Sequence, residues 1–101
     1  YWGVGGNPAD GVDSTFLLAL AGSELGDSKA KTFTVNAAAG QYIWYAIPHS
    51  FGTPTFKVGG FEGGFNLVKT FDHTNASGAT VSYDVWQSTN AGLGNTTVNA
   101  A

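Results

Sequence analysis

The side chains best suited to acid–base or metal chemistry are two histidines and seven carboxylates, in a chain of 101 residues. His49 and His73 stand at or beyond the ends of strand-like segments, and no spacing predicts that they meet each other or a carboxylate. Both are therefore expected to be surface residues. Ser50 lies beside His49, but neighbouring residues of an extended chain point to opposite faces. No two carboxylates are marked as the pair that a glycosidase needs. We therefore expect no catalytic residues and no enzymatic activity.

The loop NPADGVD has the oxygen-rich composition of a loose calcium site, through Asn7, Asp10 and Asp13. Its order does not match an EF-hand loop, and a turn followed by a helix cap at Asp13 explains it better. The segment GVGGN lacks the strand–glycine–helix context that phosphate binding requires. The sequence therefore predicts no bound metal and no cofactor.

Composition excludes several classes of protein. Charged residues make up 11% of the chain, the net charge is −3, and the four basic residues are all lysines. Nucleic acid binding is not expected, because it depends on clusters of Arg and Lys. The apolar stretch FLLALAG is far shorter than the roughly 20 residues of a membrane span, so no membrane insertion is expected. The absence of cysteine excludes disulfides and thiolate metal sites.

The chain reads as a single all-β domain over residues 1–101. Short β-branched and aromatic segments between turn residues predict an antiparallel β-sandwich, immunoglobulin-like or jelly-roll-like, with about seven strands. The segments are YWGV, KAKTFTV, YIWYAI, TFKV, NLVKTFDH, TVSYDVWQS and TTVNA. One short helix is predicted near residues 14–21, with Asp13 or Ser14 as its N-cap. Because the chain begins at Tyr1 rather than Met, we expect a domain excised or processed from a longer protein.

Two strands have informative patterns. YIWYAI is apolar on both faces, which predicts a central strand that is covered above and below. TVSYDVWQS alternates, so Val81, Tyr83 and Val85 are predicted to face inward. Trp86 then falls on the polar face, where a tryptophan is typical of a sugar platform or a subunit contact, and closure of the core is an equally good explanation. In NLVKTFDH, Leu67 and Phe71 are predicted to face inward.

The segment GGFEGGF, residues 59–65, is the most unusual stretch of the chain. Glycine weakens a strand interior by roughly 0.5–1 kcal/mol, so these glycines are expected where φ is positive or another backbone comes close. We expect a corner between the two sheets with at least one phenylalanine turned inward; an exposed recognition loop is the alternative. The candidate contact residues for a partner or a glycan are Trp2, Phe61, Glu62, Phe65 and Trp86.

Two blocks of the sequence support a resemblance. AAAGQYIWYAIPHSFGTPTFKVGGFEGGF and SYDVWQSTNAGLGNTTV, together with the initial YWGV, resemble a domain near the ends of virion proteins of tailed bacteriophages. The resemblance covers nearly the whole chain and implies a structural module of a tail, a fibre or a capsid decoration. It carries no catalytic set, and so assigns no functional residue.

The resemblance implies a non-enzymatic module of the extracellular virion that mediates assembly or host-surface adhesion. Its expected partners are other virion subunits, including copies of itself in a trimer or a symmetric array, with a host-surface glycan as a further ligand. The shortage of charge and the surplus of aromatic residues also favour association. The alternative is a carbohydrate-binding module that uses Trp86, Trp2 or Trp44 as its platform.

Overall fold

The computed structural model describes residues 1–20, 31–74 and 76–101. Within these ranges two four-stranded antiparallel sheets pack face to face, which confirms the predicted β-sandwich. Sheet A has the order β1-β3-β7-β6, and sheet B has the order β2-β8-β4-β5. The strands are β1 (Trp2–Gly5), β2 (Lys31–Ala37), β3 (Tyr42–Pro48), β4 (Phe56–Val58), β5 (Phe61–Glu62), β6 (Phe65–Thr74), β7 (Thr80–Ser88) and β8 (Gly94–Ala100).

Eight strands are therefore described, against about seven predicted. The additional strand is β5, two residues long, inside the glycine-rich segment that was expected to be a corner. The helix α1 (Ser14–Ala19) lies where it was predicted, and the Asp13 side chain accepts a hydrogen bond from the Phe16 N–H, as an N-cap does. Three predicted features fall outside the described residues: the helix end at residue 21, the start of β2 at residue 29 and the turn residue 75.

The main core lies between the two sheets. Alternate residues of β2 and β8 point into it, because one face of sheet B meets solvent and the other meets sheet A. Tyr45 stands at its centre: its ring stacks on Phe33 at 6.0 Å and meets Phe56 edge to face at 5.4 Å. The core cluster comprises Phe33, Val35, Ala37, Ile43, Tyr45, Ile47, Phe56, Trp86, Val98 and Ala100.

A second core lies on the outer face of sheet A. Leu17 and Leu20, from α1 and its C-cap, pack with Trp44 and Ala46 of β3 and with Val85 of β7. Sheet A is therefore covered on both faces, by sheet B and by the segment that contains α1. The prediction that β3 is central and buried above and below is confirmed, since all its residues from Ile43 to Pro48 are buried.

The same cover changes the interpretation of β7. Tyr83 and Val85 are buried as predicted, but they face α1, while Trp86 points into the main core with only 9% of its surface exposed. The inference that Trp86 stands on a polar outer face is wrong, because both faces of this part of β7 are covered. Leu67 is also misassigned: it is 50% exposed. It lies opposite Trp86 and so shares the inner face of sheet A. Sheet B leaves it uncovered, because β5, the edge strand of sheet B, is only two residues long.

The glycine-rich segment is the corner between the sheets. Gly59 and Gly60 form the two-residue turn between β4 and β5, and Gly63 and Gly64 lead from β5 in sheet B to β6 in sheet A. All four have φ between 58° and 87°, which explains why glycine occupies them. The prediction of a corner with one phenylalanine turned inward is confirmed, because Phe65 stacks on Phe56 at 4.3 Å.

Replacement of Gly64 by alanine should destabilise the domain by about 1–2 kcal/mol, because an L residue in the left-handed region is strained. The added Cβ would also lie 3.1 Å from Cγ2 of Val58. Gly6→Ala is the matched control, since Gly6 has no positive φ and its added Cβ would meet its nearest atom at 3.9 Å. Urea denaturation measures both variants. Equal stability of Gly64→Ala and Gly6→Ala would contradict the assigned corner geometry.

The buried phenol of Tyr45 predicts a loss of stability at alkaline pH. Burial raises the pKa of Tyr45 from 10.0 to about 12. Between these values the unfolded chain releases the phenol proton while the folded chain retains it, so the free energy of unfolding falls as pH rises. This contribution is fully present below pH 10 and is lost as pH approaches 12. Tyr45→Phe should therefore lose less stability than the wild type between pH 9 and about 11.5 in urea titrations; identical losses would contradict the prediction.

Candidate functional site

His49, Asp84 and Thr70 form a polar cluster at one end of sheet A. Nδ1 of His49 lies 2.9 Å from Oδ1 and 3.0 Å from Oδ2 of Asp84, and the Thr70 hydroxyl donates to Asp84 Oδ1 at 2.6 Å. Asp84 is buried, while the His49 side chain is 66% exposed. An ionised carboxylate only accepts hydrogen bonds, so it fixes the proton of a neutral His49 on Nδ1. The imidazole is thereby held in one orientation by a buried group.

Sequence reasoning missed this cluster. His49 was expected to be a surface residue, which its exposure confirms, but its approach to a carboxylate was not predicted. His49 follows β3 and Asp84 lies in β7, which is paired with β3. Only the pairing register, with Ile47 opposite Asp84, brings the two side chains together. The available signal was Asp84 itself, because it is a carboxylate between the apolar residues Tyr83 and Val85.

His73 is buried, in contrast to the expectation that it lies at the surface. It lies on the outer face of sheet A, where Nε2 is 2.8 Å from the Tyr1 hydroxyl and Nδ1 is 3.0 Å from the Ser14 hydroxyl. Its ring also meets the rings of Tyr1 and Tyr83 edge to face. Both ring nitrogens are thus hydrogen-bonded, and the residue links β6 to the start of α1. The two histidines occupy different faces of sheet A and do not converge.

The oxygen-rich loop at the N-terminus is held by other contacts. Asp13 caps α1, and Oδ1 of Asn7 accepts a hydrogen bond from Gln87 Nε2 at 2.6 Å. The interpretation of Asp13 as a helix cap is therefore confirmed. Within residues 1–20, 31–74 and 76–101, no three His, Cys, Asp or Glu side chains converge to hold a metal ion. In the same ranges, no helix has the length and apolar content to cross a membrane.

The three tryptophans offer little open surface. Trp44 and Trp86 are buried, and Trp44 Nε1 donates to the Gly5 carbonyl at 3.2 Å. Trp2 is half-buried and stacks on Phe33 at 4.8 Å, with the ammonium of Lys31 6.0 Å from its ring centre. Of the five candidate contact residues, Trp86 is therefore in the core, while Trp2 and Phe65 are partly covered by it. Phe61 and Glu62 are exposed.

Phe61, Leu67 and Val68 form what we call the open edge, at the side of the sandwich where β5 and β6 end the two sheets. Phe61 is 81% exposed, and Leu67 and Val68 are also exposed. Phe61 lies opposite Val58, and Leu67 lies opposite Trp86, so both share the inner faces of their sheets. The apolar interior therefore reaches solvent here.

Trp86 Nε1 is a buried donor with no hydrogen-bond partner among the described residues.

The outer face of sheet B, which we call the polar face, has a different chemistry. Along β2 and β8 it presents exposed side chains that are all hydroxyl or amide groups, namely Thr32, Thr34, Asn36, Asn95, Thr97 and Asn99. Lys57 and Glu62, opposite each other on β4 and β5, continue the face toward the glycine corner. A depression of about 370 Å³ lies over β2, β8 and β4.

Comparisons of the chain with known protein families, with curated proteins and with solved structures found no match.

Replacement of Asp84 by alanine should lower the free energy of unfolding by about 1–3 kcal/mol, because hydrogen bonds to a charged acceptor are lost from a buried position. Asp72→Ala is the matched control: Asp72 also accepts from a hydroxyl, Ser82 Oγ at 2.5 Å, but it is exposed. We expect the control to cost less than about 1 kcal/mol. Urea denaturation at neutral pH compares the two variants, and equal effects would contradict a stabilising role for the His49–Asp84–Thr70 cluster.

Proposed function

We propose that this domain is a non-enzymatic structural module of a tailed-bacteriophage virion, where it mediates assembly or host-surface adhesion by association with other subunits. The placement in the extracellular virion rests on the sequence resemblance of the YIWYAIP–GGFEGGF block and the SYDVWQS block. The mode of action rests on the open edge. The single observation that carries it is that Phe61, 81% exposed, lies on the same side of the sandwich as the exposed Leu67 and Val68, because exposed apolar patches mark contact surfaces.

Side-chain contact suits the open edge better than strand addition does. β6 is ten residues long and is an edge strand of sheet A, so its outer hydrogen-bonding groups are available to another chain. A register shift between Leu67 and Lys69 leaves Val68 as an extra residue, and a lysine follows it. Bulges and lysines are devices that protect edge strands from pairing. We therefore place the contact on Phe61, Leu67 and Val68.

A second copy of the chain is the occupant that we propose for this edge. The surface carries few charges, with a net charge of −3, so repulsion between copies is small. Closed symmetric assemblies bury the same patch on every copy, and aromatic anchors supply much of the energy of such interfaces. A trimer or a symmetric array built in this way would extend the Phe56–Phe65–Trp86 part of the core across the interface.

The alternative of a carbohydrate-binding module with a tryptophan platform loses its main candidates. Trp44 and Trp86 are buried and cannot stack on a sugar ring without unfolding of the core. Trp2 presents only part of its ring, since Phe33 covers one face. A glycan site in this domain would have to be built from other residues.

Sedimentation equilibrium at tens of micromolar tests the association. The wild-type domain should form a trimer or a larger symmetric assembly. Phe61→Ser combined with Leu67→Ser should give a monomer, because it removes the apolar side chains of the open edge. Leu18→Ser is the matched control, since Leu18 is 67% exposed but lies on α1, away from that edge.

Two outcomes would overturn the association. One is a wild-type domain that is monomeric at these concentrations. The other is an assembly that Leu18→Ser disrupts as much as the open-edge variant does. Circular dichroism of each variant separates loss of assembly from loss of folding.

A further inference from the structure

We propose that the depression on the polar face of sheet B is a binding site for a neutral oligosaccharide. The pairing of β2 with β8 builds it: Thr32 lies opposite Asn99, and Thr34 lies opposite Thr97. Directly opposed residues of antiparallel strands project to the same face, so hydroxyl and amide groups stand side by side in rows. Such groups both donate and accept hydrogen bonds, as sugar hydroxyls do.

The lining groups keep hydrogen-bonding capacity for a ligand. Asn99 Nδ2 donates to Thr32 Oγ1 at 3.0 Å, which orients the amide and leaves its Oδ1 without a partner among the described residues. The Thr97 hydroxyl lines the depression and lies 3.1 Å from the hydroxyl of Thr34 beside it, so Thr97 keeps a lone pair that can accept a hydrogen bond from a ligand. The side chains of Thr55 and Lys57, on the opposite wall, make no hydrogen bond within the described part of the chain. The site thus combines fixed and free polar groups around one concavity.

The small number of charged groups in the lining of the depression favours a neutral ligand. Lys57 is the one charged side chain in the lining, and Glu62 lies opposite it across β4 and β5. Binding of nucleic acid or of a polyanion needs several basic groups, which this lining does not supply. A second copy of the chain is also a poor occupant, because this lining contains no aromatic anchor. A polyhydroxylated neutral molecule satisfies the available donors and acceptors without bringing an unpaired charge.

This inference rests on the host-surface adhesion named in the proposed function, but its site is the polar face rather than the open edge. The open edge and the polar face lie on opposite faces of the β4–β5 hairpin, since Phe61 shares the inner face with Val58 while Glu62 shares the outer face with Lys57. The binding test is therefore run on the double variant Phe61→Ser, Leu67→Ser as well as on the wild type. Loss of assembly and loss of glycan binding are then separate results.

The experiment has two stages. An array that carries neutral and anionic oligosaccharides identifies the ligand, and the best neutral oligosaccharide is then titrated into ¹⁵N-labelled protein by NMR. We expect binding to neutral members, with shifts confined to amides of β2, β4 and β8. Thr97→Val and Asn99→Ala should each weaken binding at least about tenfold, because each removes a polar group that orients the site.

Matched controls exist in sheet A. Thr74 and Thr80 form the same kind of hydroxyl pair at 2.9 Å, and Asn66 Nδ2 donates to Thr89 Oγ1 at 3.3 Å, as Asn99 does to Thr32. Thr74→Val and Asn66→Ala should leave the affinity unchanged. The inference is overturned if no neutral oligosaccharide binds, if only anionic members bind, or if the site variants and the control variants have equal affinities.

Discussion

The burial of β3 on both faces is the constraint on which the rest of this structure depends. A strand that is apolar in two directions needs one layer on each side, and here sheet B provides the first and α1 the second. Each Val, Leu, Ile or Phe side chain buried in this way contributes about 1.5–3 kcal/mol, which makes the three-layer arrangement of this region strongly favourable. β7, which pairs with β3, is drawn into the same environment.

The double cover of sheet A determines where polar groups can be tolerated. Asp84 and His73 are buried in or beside the covered region, and each is satisfied by specific partners, Asp84 by His49 and Thr70 and His73 by Tyr1 and Ser14. A buried polar group without partners would cost free energy. These contacts therefore join the residue after β3 to β6 and β7 on one face, and Tyr1 and the start of α1 to β6 on the other.

Among residues 1–20, 31–74 and 76–101, sheet B is covered on one face only, and this asymmetry divides the described exterior into two kinds of surface. Its outer face meets water with hydroxyl and amide groups. At the side where β5 is only two residues long, the inner faces of both sheets reach solvent and expose Phe61 and Leu67. The glycine corner causes the second of these features, because four positive-φ glycines end the hairpin early and send the chain across to sheet A. The association and the glycan site proposed above are assigned to these two surfaces.

Local patterns in the sequence determined the fold class, the position of α1 and the central place of YIWYAI, because alternation, capping and proline or glycine punctuation act over a few residues. They also favoured a corner at GGFEGGF over an exposed loop, since the conformational freedom of glycine is a local property. Four features were decided only by tertiary structure: the burial of Trp86, the burial of His73, the exposure of Leu67 and the meeting of His49 with Asp84. Each depends on which layer or strand lies opposite. For example, α1 covers β7, although no residue pattern within TVSYDVWQS indicates that cover. Strand order and register bring together residues 35 positions apart, such as His49 and Asp84, and only the folded chain sets them.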